Sequence, residues 1–157
     1  AHVGVVSMSL AKKYGCKVWA FEPDPKNYER LRANIDANKL NDLITRTKAA
    51  ITSDGRDVYI KQDPNNSGGS HICSSDETGE ASQSISFHEL MGLDFMSVVD
   101  LLKIDCEGAE YEILENADLS KVKAIRGEFH GPKGPELLEK VKALVPNTKI
   151  TLQGVTG

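Results

Sequence analysis

Residues 98–117 read VVDLLKIDCEGAEYEILENA, and the fold turns on where this stretch changes character. Residues 98–105 form the most apolar run in the chain and predict a buried strand. Residues 108–117 carry Ile113 and Leu114 at helical spacing and predict a helix. A strand that stops at an acidic residue, turns at Gly108 and enters a helix is one βα step. Asp105, Glu107, Glu110 and Glu112 crowd the junction. Carboxylates near a helix start are stabilised by free N–H groups and the helix dipole, about 0.3–1 kcal/mol each. Glu110 and Glu112 need no further explanation and read as helix surface. Asp105 is different, because it ends an apolar strand and is partly desolvated there. It calls for partners or a cationic ligand. Lys103 points to the same side of the strand and is its expected neutraliser.

The same alternation continues on both sides. A helix is predicted over 3–14, stopped by Gly15, then a strand over 16–23 ending at Glu22 and Pro23. Asp24 caps the next helix, with Pro25 at its first position and Tyr28, Leu31 and Ile35 on one stripe. Strands follow over 43–52 and 56–62. Residues 63–84 are rich in Ser, Gly, Asn and Asp and read as a long polar loop or hairpin. After residue 117 come a strand over 123–130, an amphipathic helix over 135–145 and a closing strand. The predicted fold is α/β, with a doubly wound, mainly parallel sheet in a single domain spanning 1–157. Ligands of such sheets sit at the carboxyl ends of the strands.

The totals narrow the function classes. The chain has 157 residues, 39% of them apolar and 27% charged, with a net charge of -4. No basic run suggests nucleic acid, no apolar stretch reaches bilayer length, and no signal-peptide pattern opens the chain. Cys16, Cys73 and Cys106 fit neither a disulfide framework nor a zinc site, which makes a reducing cytoplasm the default setting. The chain opens directly in helical spacing and closes on a strand-like run, so it reads as a domain cut at its N-terminus and at its C-terminus.

Three strand ends carry candidate chemistry. Glu22 follows Gly4 at close to the spacing of about 20 residues at which an acidic residue holds the two hydroxyls of a ribose. Glu128 and His130 share one face of a strand end, where they suit a general base pair, a metal pair or a satisfied polar corner. No metal site is assigned, since neither HExxH nor EF-hand spacing occurs.

Together, VWAFEPDPKNYERLRANI, KAAIT and LLKIDCEGAEYEIL resemble the FkbM-type S-adenosylmethionine-dependent methyltransferases. The resemblance runs from Ala1 to about His130. It implies a class I methyltransferase fold of Rossmann-like type, with S-adenosylmethionine as cofactor and a small-molecule or glycan hydroxyl as acceptor. AHVG looks like the tail of the glycine-rich first motif, which makes Gly4 a cofactor-binding residue. Glu22 matches the ribose-binding acid, and Ala50 and Ile51 match the segment beside the adenine. Asp105 and Glu107 match the signature carboxylates facing the methionine end or the acceptor. Gly69 and Ser70 fall in a Gly/Ser-rich loop that approaches cofactor or acceptor. Asp105 and His130 are the candidate catalytic bases. The family's first strand has no counterpart here, so 1–157 alone is expected to hold the cofactor poorly. Two other readings are a non-catalytic fragment paired as a strand-swapped homodimer, and a nicotinamide-dependent oxidoreductase, in which the KIDCEGAE stretch has no role.

Overall fold

The computed structural model describes residues 1–62, 71–73 and 79–154. In order, the first half holds helix α1 (Val5–Tyr14), strand β1 (Val18–Phe21), helix α2 (Pro25–Ala37) and strands β2 (Ile44–Thr47), β3 (Ala50–Thr52), β4 (Val58–Lys61), β5 (His71–Cys73) and β6 (Glu80–Ser82). The second half holds β7 (Ser84–Ser86), α3 (Phe87–Gly92), a 3-10 turn (Asp94–Met96), β8 (Leu102–Ile104), α4 (Glu110–Leu114), β9 (Ile125–His130), α5 (Gly134–Leu144) and β10 (Thr148–Gln153). Two compact units result: Ala1–Ala50 with Asp57–Ser84, and Ile51–Arg56 with Ile85–Gly157. The chain passes between them three times, within β3, at Arg56–Asp57 and within β7.

The first unit is built on the parallel pair β1–β2, in register Val18↔Ile44 to Phe21↔Thr47. Leu31 and Ile35 of α2 are fully buried with Ala11, Ala20 and Ile44. Asp24 caps α2 as predicted: its carboxylate accepts the N–H groups of Lys26 at 2.8 Å and Asn27 at 3.0 Å. Pro25 then occupies a first-turn position where no N–H is needed. The predicted strand over 43–52 divides into β2 and β3. Part of the polar stretch after it is ordered as β5 and β6, both antiparallel to β4.

The second unit is a parallel sheet in the order β10-β9-β8. Ile125 and Phe129 of β9 are fully buried, among Leu137, Val141 and Val145 at the α5 side and Ile113 and Leu114 of α4. Burying one such side chain contributes about 1.5–3 kcal/mol. The architecture is therefore mixed α/β with parallel sheets, as the sequence predicts. The strand expected over 98–105 is shorter. Only 102–104 joins the sheet, Val99 makes a lone parallel bridge to Val122, and Val98 and Leu101 are exposed.

Candidate active site

The second unit gathers polar side chains at the carboxyl ends of β8 and β9. The register Ile104↔Gly127 sets Asp105 beside the level of Glu128. Gly127 makes this approach possible, because a Cβ there would lie 1.6 Å from the Ile104 carbonyl oxygen. One ligand-capable atom each from Asp105, Glu128 and His130 lie within 4.8 Å of one another. Lys103 Nζ donates to Asp105 Oδ2 at 2.6 Å, the expected neutralisation. Gln153 donates to Glu128 Oε2 at 3.2 Å. Asp105 itself is exposed. The strand it ends is too short and too open to bury it.

Glu110 organises the cluster. It is 1% exposed, not a surface residue of the helix. Its Oε1 accepts the Cys106 N–H at 2.7 Å, its Oε2 the Gly108 N–H at 3.1 Å, and His130 Nδ1 lies 3.0 Å from Oε1. The connecting turn holds Glu107 at φ 53 and Gly108 at φ 110, so a non-glycine residue occupies the left-handed region. In that conformation Glu107 Oε2 lies 3.7 Å from His130 Nε2, and Glu128 Oε2 lies 3.9 Å from the same nitrogen. With backbone donors on both Glu110 oxygens, Glu110 accepts and Nδ1 donates. In the neutral ring Nε2 then carries the lone pair, on the side of the carboxylates. Burial, with Glu110 nearby, pushes the Cys106 thiol up to about 11, which leaves it unreactive as a nucleophile.

Glu112, two positions further along the helix, faces elsewhere. Arg56 grips it bidentately, Nη1 to Oε1 at 2.6 Å and Nη2 to Oε2 at 2.8 Å, and Ser53 Oγ adds a bond at 3.0 Å. The hydrogen bonds from Arg56 hold the Glu112 carboxyl below its usual value, and those to Glu112 raise Arg56. A shallow groove of about 370 Å³ runs past Ser53, Phe87, Met91, Glu112 and Asn116 in the same unit. No residue singled out from the sequence as a site residue lines it.

The first unit holds the other predicted carboxylate. Glu22 follows β1 and is 6% exposed. Its Oε1 accepts the Asp24 N–H at 3.0 Å. Its Oε2 lies 2.5 Å from the His2 nitrogen and 3.0 Å from that of Ala1. Gly4 closes this turn at φ 91, where a Cβ would come within 2.5 Å of Leu31 Cδ1. Glu22 and Gly4 are thus brought into one turn. Ala50 is buried in the first unit and Ile51 is half-buried in the second. Gly69 and Ser70 lie outside the described residues. Sequence reasoning missed Glu110. The only signal for it is a carboxylate three residues after Glu107 with His130 downstream, and spacing alone does not link them.

A buried acid lies beyond one parallel strand and a histidine–carboxylate cluster beyond two others, positions at which α/β sheets hold ligands. The chain belongs to the methyltransferase FkbM domain family, whose model matches residues 1–146. It is also 27% identical over 139 residues to the hexuronic acid methyltransferase AglP of Haloferax volcanii, covering 85% of this chain. The chain spans 57% of that relative's length. No solved structure matches it significantly.

Proposed function

We propose that the chain is an S-adenosylmethionine-dependent O-methyltransferase whose acceptor is a hydroxyl on an acidic sugar or a related glycan. The observation that carries the reading is His130, oriented by buried Glu110 and set beside Asp105 at the carboxyl end of the sheet. The name of the Haloferax relative supports the sugar class, and the family supports the reaction.

The cofactor is tested against the chemistry of Glu22. An ionised carboxylate offers about four acceptor positions, and Glu22 has three donors among the described residues. One position remains, which suits one of the two ribose hydroxyls. Glu22 would hold the ribose, Gly4 would let the backbone approach, and Ala50 and Ile51 would flank the adenine. When bound, S-adenosylmethionine supplies a methyl group on a cationic sulfur, which is displaced in line by the acceptor oxygen. The chain's work is to position the acceptor and take its proton. Asp105 and His130 are assigned to that proton, His130 through Nε2. Glu107 lines the same cluster. A cytoplasmic setting accords with the three free cysteines.

The test uses methyl-labelled cofactor with a panel of neutral and acidic sugars. Label should enter an acidic sugar through an ether bond, and His130→Gln and Asp105→Asn should each lower kcat by about 100-fold or more. Thermal stabilisation by nicotinamide cofactors, with none by S-adenosylhomocysteine, would overturn the assignment.

A further inference from the structure

We infer that Asp105, Glu128 and His130 form a binding site for one divalent cation. Their ligand-capable atoms already lie within 4.8 Å of one another. Neighbouring ligands on an ion with bonds of about 2.1 Å sit roughly 3.0 Å apart, and opposite ones roughly 4.2 Å. Closing the site therefore takes side-chain rotation at three partly accessible residues, with no movement of β8 or β9. The stronger observation is the far side of the imidazole. Glu110 fixes Nδ1 as a donor, so a neutral ring offers Nε2 as the ligand atom on the side where Glu107 lies at 3.7 Å and Glu128 at 3.9 Å. Both distances are too long for a hydrogen bond, and two carboxylates converge on that nitrogen. A buried carboxylate behind a histidine that faces carboxylates is the arrangement by which proteins orient a metal-ligating imidazole.

One nitrogen and two carboxylate oxygens suit Mn²⁺ or Mg²⁺ better than a closed structural zinc site, which favours thiolates and four protein ligands. The partly open ligands leave coordination positions for water or for an acceptor oxygen. Its role in acceptor binding rests on the methyltransferase reading. An acidic sugar would be repelled by Asp105, Glu107 and Glu128, and a divalent cation together with Lys103 offsets those charges. A cation on Nε2 also takes the lone pair that would accept the proton. In the loaded site the acceptor O–H bond therefore breaks toward a carboxylate oxygen of Asp105, and the electron pair stays on the acceptor oxygen. Coordination acidifies the hydroxyl enough for a carboxylate to serve.

The test is a Mn²⁺ titration followed by loss of the free-ion electron paramagnetic resonance signal, on the chain without cofactor or acceptor. One Mn²⁺ should bind per chain. Glu128→Gln, at a half-exposed position, should weaken binding at least 10-fold, and Glu110→Gln, which disturbs the orientation of His130 and the turn at Cys106–Gly108, by about 10–100-fold. Glu139→Gln, exposed on α5, should leave it unchanged, and circular dichroism checks that each variant is folded. No saturable binding up to about 1 mM, the weak end of specific divalent sites, would overturn the proposal. Equal affinity in wild type and folded Glu128→Gln would do the same. Because the titration requires neither cofactor nor acceptor, its failure leaves the methyltransferase reading intact, and a failed methyl-transfer assay leaves the cation site intact.

Discussion

Glu110 and Glu112 stand on the same short helix and do unlike work. Glu110 is enclosed and holds a turn and an imidazole. Glu112 is partly exposed and pairs with Arg56. Hydrogen bonds from Arg56, more than any other cause, depress the Glu112 carboxyl below its ordinary value of 4.5. A depressed acid stabilises the fold above its unfolded value and loses that contribution as pH falls through its folded value. Glu112→Gln should therefore cost up to about 1 kcal/mol at pH 7, the upper end for a partly exposed pair. The difference should shrink steadily below about pH 4.5 in urea melts. A cost that is the same at pH 3 and pH 7 would contradict the assignment to the ion pair. Cys106 gives a second check. With its thiol pushed up to about 11, it should alkylate far more slowly at pH 8 than exposed Cys16, as mass spectrometry of iodoacetamide-treated protein can show. At this scale the sequence was readable where partners are close in the chain. Lys103 and Asp105 share a strand face by simple alternation, and their ion pair forms. Glu110 meets His130 across 20 residues. Only the register of β8 on β9 and the turn at Glu107–Gly108 bring them together, so helical spacing alone returned a surface glutamate.

Among the elements, the β8–β9 junction carries the site. Its close approach depends on Gly127, whose Cβ would collide with backbone that has no side chain to rotate away. Gly127→Ala should cost about 2 kcal/mol or more. It should also disperse the cluster, so calorimetry should show a fall in Tm of roughly 5 °C or more together with lost Mn²⁺ binding. An unchanged Tm would mean that β8 and β9 can separate freely. Asp24→Ala should cost about 1–2 kcal/mol through loss of the α2 cap. That cap was legible because Asp-Pro before an apolar stripe has a local cause. The extent of β8 was not legible. Val98 and Leu101 have strand-forming side chains, yet among the described residues they join no strand pairing, and pairing decides where a strand begins.

Across the whole molecule, α/β alternation was plain because helices and strands leave different periods in the sequence. The two compact units were not, since the chain crosses between them inside β3, at Arg56–Asp57 and inside β7 without a linker to mark the passage. This division gives the functional assignments a test at the same scale. The proposed ribose carboxylate, Glu22, belongs to the first unit, and the proposed cation ligands belong to the second. A ligand that binds only the folded chain stabilises it by about 2.7 kcal/mol at 100 times its Kd. S-adenosylhomocysteine and Mn²⁺ should each raise Tm in proportion to their own saturation. Glu22→Gln should abolish the shift from S-adenosylhomocysteine and leave the Mn²⁺ affinity unchanged. Glu128→Gln should weaken Mn²⁺ and keep most of the shift from S-adenosylhomocysteine. Loss of both responses in either folded variant would show that one carboxylate serves both ligands, and the separate assignments would have to be given up.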